Sequence, residues 1–320
     1  MAGTLYSTMT QPANEPANEE AGQEQDVTEN NHDTPGHTIA NLMSMINDIN
    51  IARHLSEETI TKIAYEAKKN FDLDEASRGD WKTRTEKGME LALQSDMTKK
   101  TFPWPGAANV KYPVMTTAAI QFAARAYPAI VAGNDVVKCV VAGEDPDGEK
   151  HKRGERVSAH MSWQFLNEMP EWEPGIDRML HSLPIVGCEF IKTYYDPSKG
   201  RNVSEHIPAF DVVVNVSAVS LETAPRVTHI VRLYPYEIRE RILSGLFIDF
   251  DYGLPGYTED KDAPHEFLEQ HCRIDLDDDG YPEPYIVTIH KERVKVCRIR
   301  AAWDADGIRV DAGKNLIGID

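Results

Sequence analysis

The run Asp275-Leu276-Asp277-Asp278-Asp279-Gly280 places four carboxylates within five residues, the densest set of hard oxygen ligands in the chain. It matches the first half of a calcium loop, in which closely spaced oxygens and a glycine turn encircle the ion. An EF-hand also needs a bidentate Glu six residues after the Gly, and this chain has Ile286 there. Runs of β-type residues flank the string, and Asp-Gly between such runs is a hairpin signal in its own right. Two readings stay open: a plain turn, or a weak divalent site over Asp275–Asp279 that would serve a metal-dependent hydrolase.

The remaining candidates for chemistry are sparser. His265, His271 and Cys272 are close in the chain, but a zinc ion needs three or four converging ligands. On a strand, His271 and Cys272 point to opposite faces, so they cannot share one ion. His181 and Cys188 bracket the apolar run Leu183-Pro184-Ile185-Val186-Gly187, with no Asp or Asn pattern to orient a base; a packing turn is the simpler account. The four cysteines (Cys139, Cys188, Cys272, Cys297) form no CxxC pair and read as reduced thiols in a reducing compartment. No GxGxxG, GxxxxGKS, GxSxG or HExxH string occurs. We therefore assign no catalytic residue, no cofactor and no metal, and expect a protein that is not an enzyme.

Composition narrows the partners. The formal net charge of the 320 residues is -18, which argues against sequence-independent nucleic-acid binding through clustered Lys and Arg. It leaves room for surfaces that repel a polyanion by design. Residues 1–36 carry seven acidic and no basic side chains, so this tail accounts for -7 of the charge and the rest of the chain for -11. Such a segment buries too little apolar surface to offset the loss of chain entropy, and we expect a disordered acidic tail, either merely solvated or a docking peptide for a protein-binding adaptor. Residues 1–38 do not resemble a signal peptide, and the apolar stretch Tyr112–Gly133 is too interrupted to span a membrane.

These residues must be held by a scaffold whose order is legible. Residues 37–133 are predicted helical. Ile39, Leu42, Met43, Ile46 and Ile49 mark a first helix; Ser56 caps a second with a stripe of Ile60, Ile63, Ala64 and Ala67; a third covers about 78–93. Residues 134–320 are predicted α+β. They comprise a strand at Val136–Ala142, a helix at about 149–167 broken by Pro170, and a shorter helix ending before Pro184. Strands at Glu189–Tyr195, Ala209–Val216 and Val227–Leu233 and a helix at Pro235–Leu243 come next. An antiparallel meander follows: Glu266–Leu276, Tyr285–His290, Val294–Trp303 and Gly307–Val310. Helices first and antiparallel strands later mean an α+β fold.

Between the two regions lies Lys99–Gly133, where Phe102 and Trp104 are stiffened by Pro103 and Pro105. An alanine-rich helix follows, predicted from Val114 to Tyr127 with Pro128 ending it; Ala118, Ala119, Ala123, Ala124 and Ala126 would let another backbone come close. We expect Trp104 to be buried, in the core or at an interface.

Four strings resemble the portal proteins of tailed double-stranded DNA bacteriophages, of the short-tailed type. They are FPWPGAANVKYPVMTTAAIQFAARAYPAIV, MSWQFLNEMPEWEPGIDRMLHSLPIVGCEFIKTYYDP, SLETAPRVTHIVRLYPYEIRERILSG and QHCRIDLDDDGYPEPYIVTIHK, which cover most of Phe102 to Lys291. The resemblance implies a structural subunit of a ring, usually of twelve copies, at one capsid vertex of the virion, made in the host bacterial cytoplasm. Terminase, capsid or scaffold proteins, and tail or neck proteins would be its partners. Double-stranded DNA would pass through the channel during packaging and ejection without sequence-specific binding, and no membrane would be involved. Members of that family are much longer, so the resemblance also implies an N-terminal, wing-like portion without stem helices, clip or channel-lining region.

Overall fold

The computed structural model of the chain describes residues 42–95, 101–108, 112–131, 133–197, 199–276, 280–310 and 316–319. The acidic tail, Ile39 and Asp277–Asp279 lie outside the described residues. The fold is α+β, helices preceding an antiparallel sheet. Its helices are α1 (residues 42–46), α2 (Glu57–Ser77), α3 (Gly79–Leu93), α4 (Val114–Ile130), α5 (Glu149–Trp163), α6 (Trp172–Val186) and α7 (Pro235–Leu243). A π-helical turn, Gln164–Glu168, prolongs α5.

The strands form three sheets. β1 (Phe190–Asp196) and β2 (Arg201–Ile207) make a hairpin. β3 (Val212–Val214), β4 (Arg226–Leu233), β5 (His265–Ile274), β6 (Glu283–His290) and β7 (Lys295–Ala301) make a five-stranded antiparallel sheet in chain order. β8 (Ile308–Val310) pairs with β9 (Leu316–Ile319).

Helix α2 begins as its sequence dictates: the Ser56 hydroxyl accepts from the Thr59 N–H at 3.1 Å, and Glu57 and Glu58 occupy the electropositive first turn. Its buried stripe of Ile63, Ala64, Ala67 and Phe71 lies on one face of the large sheet, against Val213, Ile230, Leu268, Tyr285, Val287 and Ile289. Leu42, Met45 and Ile46 of α1 join that core, whereas Met43 and Ile49 are exposed, so the first stripe is narrower than its periodicity implied. The opposite face of the sheet, carrying Phe267, Leu233 and Cys297, is covered by Ile238 of α7 and by Phe247 and Tyr252 of the following loop. A register shift between Thr288 and Ile289 skips Cys297 in the pairing. It thereby puts Val296 and Ile299 on one face and Cys297 on the other.

Polar pins fasten helices to sheet. Arg78, almost fully buried, donates to the carbonyls of Ala209, Phe210 and Val212 at 2.7–3.0 Å. Asn50 satisfies its whole amide group: Nδ2 donates to the carbonyls of Leu246 and Cys297, while Oδ1 accepts from the N–H groups of Ala52 and Ile299. Buried amides and guanidinium groups are tolerated because each is hydrogen-bonded.

A second layer comprises α3, α4, α6 and the β1–β2 hairpin. Ala119 and Ala123 of α4 are buried, and Ala123 meets Ile176 and Leu180 of α6. At Gly175 of α6 a Cβ would stand 3.3 Å from the His206 Cβ and 3.4 Å from its backbone nitrogen, so glycine lets the helix lie against β2.

Several predicted elements are corrected. α4 and α6 run through Pro128 and Pro184 to Ile130 and Val186. Each proline sits in the last turn, where it removes one donor before the chain leaves the helix. The next bond of α4 re-forms at once, from the Val131 N–H to the Tyr127 carbonyl at 2.8 Å. Ala209–Val216 is a 3-10 turn (Ala209–Asp211) and the three residues of β3. Val136–Ala142 is extended but pairs with no strand among the described residues. β2 was not foreseen: its charged RNVSEHI carries no clean alternation, and only the preceding Pro-Ser-Lys-Gly signals a turn.

Candidate functional site

α4 is apolar on nearly every side. Ala119, Ala123, Ala126 and Tyr127 face α6, and the Thr116 hydroxyl donates to the Ala92 carbonyl of α3. The rest of the helix is exposed, yet it carries Val114, Met115, Ala118, Ile120, Phe122, Ala124 and Ile130, with only Thr117, Gln121 and Arg125 as polar relief. A helix hydrophobic all round belongs in an interior. Here half of it faces outward. The Tyr127 hydroxyl donates to Glu173 of α6, and that bond raises its pKa, which keeps the phenol protonated across the α4–α6 contact.

The knuckle before α4 is exposed as well. Phe102 is 80% exposed, Trp104 64% and Tyr112 86%. The expectation that Trp104 would be buried within the chain is thus corrected: no described side chain covers it. The backbone folds into a turn there, the Ala107 N–H donating to the Trp104 carbonyl at 3.1 Å, so the ring is held outward on an ordered support.

The carboxylate run turns out to lie at a hairpin. Asp275 Oδ2 accepts from the Gly280 N–H at 2.9 Å, and Gly280 has φ +90°, a left-handed conformation natural to glycine. Asp277, Asp278 and Asp279 are outside the described residues, and among the described ones no three His, Cys, Asp or Glu side chains are placed to hold a metal ion. His271 is exposed on β5 and Cys272 packs toward the core, on opposite faces as the alternation required. His181 is exposed, its Nδ1 2.9 Å from the Asp177 carbonyl.

Three of the thiols are poorly suited to nucleophilic work. Burial pushes Cys272 and Cys297 up to about 12 and also raises Cys188, so the thiolate is disfavoured at each.

Two histidine pairings escaped the sequence because their partners are distant in the chain. His206 Nε2 lies 2.8 Å from Glu189 Oε2, both side chains buried at the base of the β1–β2 hairpin. His265 Nδ1 lies 3.1 Å from His290 Nε2 within a ring of Phe250, Tyr252 and Phe267. The Arg293 N–H donates to His290 Nδ1, so His290 carries its proton on Nε2 and gives it to His265. Burial lowers the pKa of both rings, that of His290 to about 4. Both rings are therefore neutral at ordinary pH.

Among the described residues, no helix is long and apolar enough to cross a membrane. No protein-family model matches the chain, and no curated protein matches it in sequence.

Proposed function

We propose that the chain is a structural subunit of a portal ring at the capsid vertex of a tailed double-stranded DNA bacteriophage, a conduit for genome packaging and ejection. The observation that carries this reading is α4: an ordered helix whose outer half, apolar but for Thr117, Gln121 and Arg125, faces solvent in a single copy and is led in by exposed Phe102 and Trp104. Exposed apolar surface of that kind belongs to an interface. It falls within the first of the strings through which the chain resembles portal proteins. In a closed ring one face of each copy meets a different face of the next, so a lone subunit leaves both uncovered.

The charge agrees with a conduit. A net charge of -18 repels DNA and so lets it slide without sticking. Terminase, capsid and tail or neck proteins would be the partners of such a ring, and the virion its location. The hydrolase reading finds less support, since the Asp275 carboxylate is engaged in closing its own turn. Negative-stain microscopy of the purified protein tests the proposal: rings with a central hole are expected, and particles with no closed symmetry would contradict it.

A further inference from the structure

Residues 135–142, DVVKCVVA, run extended along α5. Among the described residues α5 packs closely on no other helix or strand except its own π-helical continuation. Its only residues not exposed are Gly154, Ser158 and Ser162, one stripe at intervals of four. The extended segment is seated on that stripe. Ser162 Oγ accepts from the Val137 N–H at 3.1 Å, the Ser158 hydroxyl donates to the Val137 carbonyl, and a Cβ on Gly154 would lie 3.4 Å from Val141 Cγ2 and 3.6 Å from Cys139 Cβ. Val137 is thus held by its backbone, and the side chains of Cys139 and Val141 lie against α5. Val140 faces away and is 92% exposed.

Beyond Val137, the backbone groups of residues 138–141 bond to no described backbone. A β-branched segment in strand conformation with unpaired N–H and C=O groups is a template for another strand. The same chain carries an edge of matching kind. Among the described residues β1 is hydrogen-bonded as a strand only to β2, and no described strand pairs with its other edge, beside exposed Ile191, Tyr194 and Tyr195. A two-stranded hairpin is the least stable sheet, and a third strand strengthens it. Valine against tyrosine is a favourable cross-strand neighbour.

We propose that residues 136–141 of one copy add as a strand to the open edge of β1 in a second copy of this chain. The occupant is assigned to the chain itself because donor strand and acceptor edge are both encoded in it and differ from one another. Such a pair of unlike surfaces propagates from copy to copy and can close into a ring. The inference rests on the ring proposed above and names one of its contacts, distinct from the α4 face.

The test uses the full chain, its assembly followed by mass photometry over a dilution series and its amides by hydrogen exchange above and below the dissociation point. Slowed exchange in both 136–141 and 190–196 on assembly is expected. Val140→Pro removes one donor at a solvent-facing position, and Val140→Asp charges it. Each is expected to raise the dissociation constant by about tenfold, the worth of roughly one hydrogen bond, with the melting temperature of the dissociated chain unchanged. If wild type and both variants assemble equally, the strand contact is wrong while the ring reading stands. Protection of 136–141 without β1 also overturns it, since the segment would then pair elsewhere. A wild-type chain that never assembles overturns both.

Discussion

Asp74 of α2 receives both arms of the Arg226 guanidinium from β4: Nε to Oδ2 at 2.6 Å and Nη2 to Oδ1 at 2.9 Å. Asp74 is wholly buried, and the Asn215 amide donates to Oδ1 at 3.0 Å. The pair joins residues 152 positions apart and fixes α2 across the sheet where β3 is only three residues long. Removing one partner strands the other charge in a water-poor site, so Asp74→Ala is expected to destabilise the fold by about 3–5 kcal/mol. Urea unfolding followed by circular dichroism measures it; a loss below about 1 kcal/mol would mean that water replaces the contact.

Gly175 lets α6 approach the β2 backbone closely. Gly175→Val would press a branched side chain on the His206 backbone and is expected to cost about 1–3 kcal/mol. Gly79, at the start of α3, is the control: an added Cβ there would meet nothing within 4 Å, so Gly79→Ala should be neutral or stabilising. Thermal melts of the two variants compare them directly.

Acid should weaken the fold in two stages. Burial holds His229 and His290 at about 4 and lowers His265 as well, against an unfolded value of 6.5. Between 6.5 and 4 the unfolded chain takes up protons that the native chain refuses, so stability is full above 6.5 and declines as pH falls toward 4. Burial alone would raise the Glu269 carboxyl, but hydrogen bonds from His271 and Lys192 overcome it and hold the group at about 2. Its contribution is present above 4.5 and is lost as pH falls toward 2. Urea midpoints from about pH 8 to 3 should trace both declines, and His229→Gln should flatten the upper one. A stability independent of pH between 6.5 and 4 would show that these rings titrate normally in the native state.

Much of the scaffold could be read from local pattern. Ser56 with two glutamates fixed the start of α2, and Pro235 with Glu237 that of α7, where the Glu237 side chain accepts from the Tyr234 N–H. Strands β5 to β7 of the meander were legible because both faces of the sheet are buried, giving continuous runs such as Tyr285–His290; Gly307–Val310, expected as its last strand, lies outside that sheet and pairs with β9 instead. The extended 136–142 segment misled for a physical reason: β-branched residues favour the strand conformation, but only a neighbour makes a strand. Contacts that depend on topology stayed hidden. Nothing local in Asp74, Arg78 or His206 announces partners more than a hundred residues away for the first two, or a glutamate across a hairpin for the third. The candidate site was half legible: the packing helix and its knuckle were singled out, but the burial assigned to Trp104 was not, because sequence alone does not say which chain covers an apolar face.

The exposed aromatic knuckle separates folding from assembly. Trp104→Ala removes a ring that touches little of its own chain, so its melting temperature should match wild type, within about 1–2 °C for a ΔΔG of a few tenths of a kcal/mol. Self-association should weaken instead. A large fall in melting temperature in a monomeric sample would place Trp104 in the core after all.

In the proposed ring the outer face of α4 is covered by another copy. Mass photometry of wild type beside Phe122→Asp tests it most directly, since Phe122 is exposed on a flank of α4 outside the α6-facing stripe. A discrete high-mass ring is expected for wild type and a shift to single subunits for the variant, at an unchanged melting temperature. Wild type that stays a single subunit at every concentration, or a variant that assembles as well as wild type, would contradict it.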